Sequence, residues 1–376
     1  MAIGTYFTKD RIAESFRRYE RRVSIATFLF GFAMDNFTLT RIDLFFDNLV
    51  LLFYLTVAGI GIMVVNLYEE RRFRAEVEGI THISPKSFQY VRAVAPFGIQ
   101  YAFGGLFSGF FVFYSRGASL AASWPFLLVL VFLLVGNEFL RNKYQRLTFQ
   151  VSIFFFVLYS YMIFALPLLV GHIGPLVFVA SGLLSLFFVA VAILLLVHFI
   201  PRRIKEAKRM LLASIATIFA TVNILYVLNV IPPLPLSMKE AGVYYSVTRV
   251  ATGYRVVGEE QGWYAFLLPR RTIHVLGGSP LFFYSAVFAP AKLVTTIVHE
   301  WQLYDYKKDA WVMELRVSFP ITGGRDGGYR GYSERLNVEP GLWRVNVETA
   351  RGQLLGRRTF TVEETETAPM VRDIIL

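Results

Sequence analysis

The residues with most chemical potential stand near the start of the chain. Asp35-Asn36 is followed by Arg41, Asp43 and Asp47-Asn48, a cluster of carboxylates and amides around one cation. Residues 43 and 47 are four apart, so on a helix they share one face. Such a cluster could bind a hard cation, relay protons or grip a polar head group. The same residues also read as an ion pair, with Arg41 tying the two segments together.

Other candidates are weaker in pattern. Glu138 follows Asn137 just before Arg141 and Lys143, which reads as an interfacial ion pair. His299-Glu300-Trp301 lacks the second histidine of an H-E-x-x-H zinc site, and His299 falls on the parity of Trp301, as a hydrogen-bonded core histidine would. The run 323–332 (GGRDGGYRGY) is glycine-rich but has no G-K-[ST] and is no phosphate cradle. Its Arg325, Asp326, Tyr329, Arg330 and Tyr332 could contact an acidic glycan or a partner protein, or could belong to a long hairpin loop. The chain has no cysteine, hence no disulfide framework, thiolate metal site or cysteine nucleophile. No Ser-His-Asp spacing, nucleotide fingerprint or nucleic-acid motif is present, so no catalytic residue, metal or cofactor is expected.

The elements that must position these residues follow from hydropathy. Of 376 residues, 55% are hydrophobic and 17% charged, against about 25% charged in soluble domains. Mean hydropathy is +0.50. A helix needs about 20 apolar residues to cross a bilayer. Seven stretches answer to that length: 23–39, 45–67, 93–115, 121–140, 147–170, 175–200 and 211–230. Gly105 and Gly109 form a G-x-x-x-G pair for close helix packing.

Charge gives the orientation. Basic residues collect in the arm 1–22 (Lys9, Arg11, Arg17, Arg18, Arg21, Arg22), after the second span (Arg71, Arg72, Arg74, Lys86, Arg92), after the fourth (Arg141, Lys143, Arg146) and before the seventh (Arg202, Arg203, Lys205, Lys208, Arg209). The alternate loops hold only Arg41 and Arg116. Positive charge stays in the cytoplasm, so the N-terminus is expected inside and the C-terminus outside. Residues 231–376 carry 17 basic and 15 acidic side chains, so +9 of the net +11 belongs to the apolar half. That surplus is an orientation signal, and no nucleic-acid partner is expected.

Past residue 230 the text changes. Ile231-Pro232-Pro233-Leu234-Pro235 opens a stiff linker, 231–241, because proline cannot continue a helix. From 242 to 376, β-type runs at 271–276, 281–288, 294–303, 310–319, 342–348 and 359–363 alternate with turn signals. They predict an antiparallel, Ig-like sandwich large enough to bury its own core. Period-2 alternation places Trp301, Trp343 and Trp311 inward, Trp311 on the parity of Met313, Leu315, Val317 and Phe319. Trp263 lies in a run apolar on both faces.

Several strings resemble a known family. Asp35-Asn36-Phe37-Thr38-Leu39, Arg41-Ile42-Asp43 and Asp47-Asn48 are similar to the opening of a family of bacterial multi-pass membrane proteins. FSGFFVFYSRGASL (107–120) and Gly136-Asn137-Glu138-Phe139 resemble its later membrane signatures. SAVFAP (285–290), TTIVHEWQ (295–302), FPITGGRDGGYRGYS (319–333) and 340–360 resemble its C-terminal module, a domain of unknown function. The resemblance implies a bacterial inner-membrane protein and assigns no catalytic or ligand residue.

Taken together, a seven-helix transmembrane domain (23–230) is expected to hold a periplasmic sandwich (242–376) in the lipid bilayer. The foremost functional expectation is a non-enzymatic module that binds an envelope glycan or a periplasmic protein. A transporter or sensor using Asp35, Asp43 and Asp47 is a second, and a membrane-embedded transferase acting on lipid-linked sugar a third. Oligomeric state leaves no trace in the sequence.

Overall fold

The structure is a computed structural model. It describes residues 32–39, 44–78, 86–117, 120–139, 146–231, 236–251, 253–259, 270–290, 293–324 and 327–376. The basic arm, most of the first expected span, Arg41, Asp43, Trp263, Arg325 and Asp326 lie outside the described residues, as does 232–235 of the linker.

A helical N-terminal region precedes a β-rich C-terminal one. Residues 32–38 form α1. It is followed by α2 (Phe45–Val77), α3 (Lys86–Gly117), α4 (Leu120–Phe139), α5 (Leu147–Val170), α6 (Pro175–Phe199) and α7 (Pro201–Val227). Among the described residues five helices, not seven, are long and apolar enough to cross a membrane: Phe45–Val77, Ala95–Ser115, Leu147–Val170, Pro175–Phe199 and Pro201–Val227. The apolar part of α4 is shorter, Ser123–Gly136, and only 32–39 of the first expected span is described. At 1.5 Å per residue, the 33 residues of α2 outrun a 30 Å hydrocarbon layer, so its charged last turns extend beyond the apolar stretch.

The helices meet through small and polar residues. A Cβ at Gly105 would lie 2.6 Å from the Tyr54 ring, and one at Gly109 would lie 2.7 Å from Leu51 and 3.2 Å from Leu39. The glycine pair therefore lets α3 close on α2 and on the end of the first segment. Asn66 Nδ2 of α2 donates to Gln150 Oε1 of α5 at 2.5 Å, and Ser152 and Ser214 couple α5 to α7 at 2.6 Å. α5 stops where Gly171 turns left-handed (φ 75°) and donates its N–H to Pro167 O. After it, α6 restarts with Pro175 in its first turn.

The strands are β1 (Ser237–Tyr244), β2 (Ser246–Val250), β3 (Gly253–Glu259), β4 (Arg271–Val275), β5 (Leu281–Phe288), β6 (Val294–Asp305), β7 (Ala310–Thr322), β8 (Tyr329–Arg335), β9 (Gly341–Thr349), β10 (Leu354–Glu364) and β11 (Val371–Ile375). β1 begins inside the stretch read as linker. The sheets run β1-β5-β8, β4-β10-β9-β6-β7 and β11-β3-β2. All pairings are antiparallel except β4 with β10. The first two sheets share one core, in which Phe283 of β5 meets Trp301 of β6, and Trp301 meets Trp343 and Phe360 edge-on.

Inside that core His299 is fully buried, its ring held edge-on between Phe283 and Phe319. Nε2 pairs with Ser285 Oγ at 2.8 Å and Nδ1 with Ser333 Oγ at 2.9 Å, while Trp301 Nε1 donates to the same Ser333 Oγ at 3.0 Å. This is the hydrogen-bonded core histidine expected from its parity. Burial drives its pKa down to about 3, so the ring is neutral.

Candidate functional site on the open face of the five-stranded sheet

Parity along β6 and β9 turns Trp301, Trp343, Val345 and Val347 into the core and the intervening residues to the opposite face, where Asn346 and Glu348 are themselves covered by neighbouring side chains. β7 breaks this parity. Trp301 pairs with Leu315 but Gln302 pairs with Met313, so Glu314 is an extra residue in β7. Such a bulge puts the residues before it on the opposite parity from those after it. Met313 and Trp311 thus face outward with Gln302 and Tyr304, and the inward placement expected for Trp311 is overturned.

The register then builds three rows across the open face. Arg316, Glu300, Asn346 and Arg357 form the first, Met313, Gln302, Arg344 and Thr359 the second, and Trp311 and Tyr304 the third. In the first row Arg357 Nε donates to Asn346 Oδ1 at 2.6 Å, and Arg316 lies 3.7 Å from Glu300. In the second, Arg344 donates to Gln302, whose amide donates to Glu300. In the third, Tyr304 packs edge-on against Trp311 at 5.1 Å and against Tyr306 at 5.0 Å, and its hydroxyl donates to Asp309. Tyr306 is 73% exposed and Met313 56%.

The electrostatics record crowding. Burial, then the charge of Arg357, pulls the Arg344 pKa down to about 10. Burial, then Glu300, raises the Glu348 carboxyl above its ordinary range. Flat aromatic rings beside a guanidinium, an amide and a carboxylate can stack on the apolar face of a sugar ring and hydrogen-bond its hydroxyls. Among the described residues no group of three or more histidine, aspartate or glutamate side chains could hold a metal ion.

The residues singled out in the sequence lie elsewhere. Asp35 is half-buried and Asn36 exposed on α1. Asp47, in the first turn of α2, is 7% exposed, and Asn48 donates Nδ2 to Leu44 O at 3.1 Å. Tyr329, Arg330 and Tyr332 of the glycine-rich run belong to β8, while Gly323, Gly324, Gly327 and Gly328 lie between β7 and β8. Tyr329 packs on the core, Arg330 Nη1 donates to Leu376 O at 3.0 Å, and Tyr332 packs on Tyr254 and Phe282. Tyr304, Tyr306, Gln302 and Arg344 went unnoticed because a face becomes visible only when the strands are placed in register.

Residues 294–362 match the model of a family described as a protein of unknown function (DUF2914). The match starts at the first residue of β6 and ends within β10, so it contains all three rows. No curated protein matches the chain. One solved structure similar over 84% of this chain and 98% of its own is Pseudomonas fluorescens alkylpurine DNA glycosylase AlkC bound to DNA containing an abasic site analog. The identity is 11% and the TM-score 0.21, which supports no statement about fold or function.

Proposed function

We propose that the chain is a multi-pass protein of a bacterial inner membrane. In this reading seven helices hold an Ig-like periplasmic module, and the open face of its five-stranded sheet binds an envelope glycan. The observation that carries the binding reading is the outward aromatic row of Trp311, Tyr304 and Tyr306 beside Gln302 and Arg344. The order β4-β10-β9-β6-β7, with β4 parallel to β10 and a buried Trp on β6, supports the Ig-like assignment.

The orientation is supported by where the charges fall. Arg202 at the start of α7 lies over the Phe73 ring near the end of α2, at 3.3 Å, so two basic helix ends are neighbours. The β region follows the opposite end of α7. With basic ends in the cytoplasm, the sheet faces the periplasm.

The test is binding of the purified full chain, in micelles, to a panel of envelope polysaccharides. Trp311→Ala and Tyr306→Ala are expected to weaken binding about tenfold each, and Tyr306→Ala, at an exposed side chain, to do so without lowering the melting temperature. Absence of binding, or binding indifferent to both changes, overturns the reading. Capture of a periplasmic protein through the same face would replace glycan by protein as the partner.

A second reading, transport or sensing of an ionic solute, is favoured by Asp47, buried at the start of an apolar helix. It requires Asp47→Asn to abolish solute flux or response while expression and melting temperature stay unchanged. Loss of folding instead would assign Asp47 a structural role.

A further inference from the structure

A cavity of about 200 Å³ lies where the ends of α5, α6 and α7 meet the β9–β10 turn. The turn is fixed by Thr349, whose carbonyl accepts from Gly352 N at 2.9 Å and whose N–H donates to Gln353 O at 3.0 Å. It is anchored to the helical side by Gln353 Nε2, which donates to Ile231 O at 3.4 Å, and the start of β6 is anchored there too, Val294 N donating to Gly171 O at 3.2 Å. Between these anchors Arg351 reaches over the Tyr226 ring, its guanidinium carbon 4.3 Å from the centroid. Tyr226 in turn stacks flat on Phe178 at 3.6 Å.

One guanidinium nitrogen, Arg351 Nη1, is shut off from solvent with no hydrogen-bond partner. A buried charged donor calls for an acceptor. The cavity wall also includes Gly174 and Pro175, the start of α6, whose positive dipole end adds to the field. Thr295, Thr349 and Gln353 supply hydroxyl and amide groups, and among the described residues no carboxylate lines the space. An anion with hydroxyls fits this wall, whereas an ammonium group would find no counter-charge.

Two further observations select the source of the anion. The volume is below the roughly 300–1,000 Å³ of pockets that enclose a whole small molecule, so a head group fits while its tail stays outside. Around it, Leu169, Val170, Leu176, Val227 and Leu228 expose apolar side chains, Leu176 to 85%. We infer that this junction is a site for one anionic glycerophospholipid, its phosphate on Arg351 and its acyl chains along those exposed residues. The inference rests on the membrane reading above and is independent of the sheet face.

The test is native mass spectrometry of the full chain released from vesicles of phosphatidylethanolamine and phosphatidylglycerol. Wild type is expected to retain phosphatidylglycerol preferentially, and Arg351→Gln to lower the retained fraction about tenfold. Millimolar inorganic phosphate should leave retention unchanged. Should Arg351→Gln lower the melting temperature, Arg351→Lys carries the test, because it keeps the charge and loses the planar fork. It must retain several times less lipid than wild type. Retention indifferent to residue 351 or to head group overturns the site. Displacement by inorganic phosphate overturns its assignment to lipid. If alkaline extraction frees the chain from vesicles, the membrane reading itself fails; if the chain stays and retains no phosphatidylglycerol, only this inference fails.

Discussion

The Arg344 guanidinium carbon lies 4.2 Å from the centre of the Trp311 ring, although β9 and β7 never pair and β6 runs between them. The contact exists because Trp311 has been turned outward by the extra Glu314 and because Arg344 extends across β6, donating to Gln302 on the way. A cation over a partly exposed indole contributes about 1 kcal/mol, and the hydrogen bond a similar amount. Arg344→Ala is therefore expected to destabilise the β region by about 1–2 kcal/mol. It should also make one tryptophan markedly more accessible to acrylamide. The increase must vanish in a Trp311→Phe background; if it persists, the two side chains do not cover one another in solution.

That pair also marks the limit of reading the chain by period. The apolar helices are legible because a bilayer-length run of Leu, Val and Phe has few other destinations. β5, β6, β7, β9 and β10 are legible because one side of each is apolar. β1, β2, β3, β8 and β11 escape notice, since residues such as Lys239, Glu240, Arg249, Arg330 and Arg372 dilute the alternation. Within β7 the text from Met313 to Phe319 alternates without a flaw, yet the strand changes face at Glu314. The bulge is a property of the pair of strands, so one strand's text cannot contain it. Arg351 is still less visible, because its setting depends on Tyr226, 125 positions earlier.

His299 should make the β region acid-sensitive. Its folded pKa, about 3, lies below the ordinary histidine value of 6.5, so between those values the unfolded chain binds the proton and the folded one does not. The stabilisation is complete above pH 6.5 and is lost as pH falls towards 3. Its upper bound is on the order of 5 kcal/mol. Thermal unfolding followed through Trp301, which shares Ser333 with His299, should show the melting temperature falling steadily below pH 6.5. His299→Gln, which lacks the titrating ring, should flatten that profile. An equal slope in both proteins would assign the acid sensitivity to other groups.

Two positions of the glycine-rich run, Gly323 and Gly327, differ sharply in the room they leave for a side chain. A Cβ at Gly323 would fall 1.7 Å from the carbonyl oxygen of Pro290 and 2.7 Å from that of Ala289, both backbone atoms. At Gly327 the nearest atom is the tip of Arg330, 4.0 Å away. Gly323→Ala is expected to cost about 3 kcal/mol, the upper end of overpacking, and Gly327→Ala to lie within about 0.5 kcal/mol of wild type. Chemical denaturation of the two variants side by side checks this. Equal effects would mean that the run acts as a flexible loop rather than as a close backbone contact.

The pair Asn66–Gln150 provides the corresponding test in the helices. Asn66 is fully buried, donates Nδ2 to Ile62 O at 2.8 Å and to Gln150 Oε1 at 2.5 Å, and so ties α2 to α5. Its Oδ1 is buried without a partner. In an apolar bundle such interhelical bonds contribute about 0.6–1.7 kcal/mol, because polar groups in the unfolded state also find partners. Asn66→Leu alone removes the donor to Gln150 Oε1, while the double change to leucine removes donor and acceptor together. A double-mutant cycle on detergent-induced unfolding should therefore return a coupling of about 1 kcal/mol, with the double variant more stable than the sum of the singles predicts. A coupling of zero would mean that α2 and α5 are joined by packing where Gly59 faces the Phe154 ring, which a Cβ at Gly59 would meet at 3.4 Å, and not by this bond.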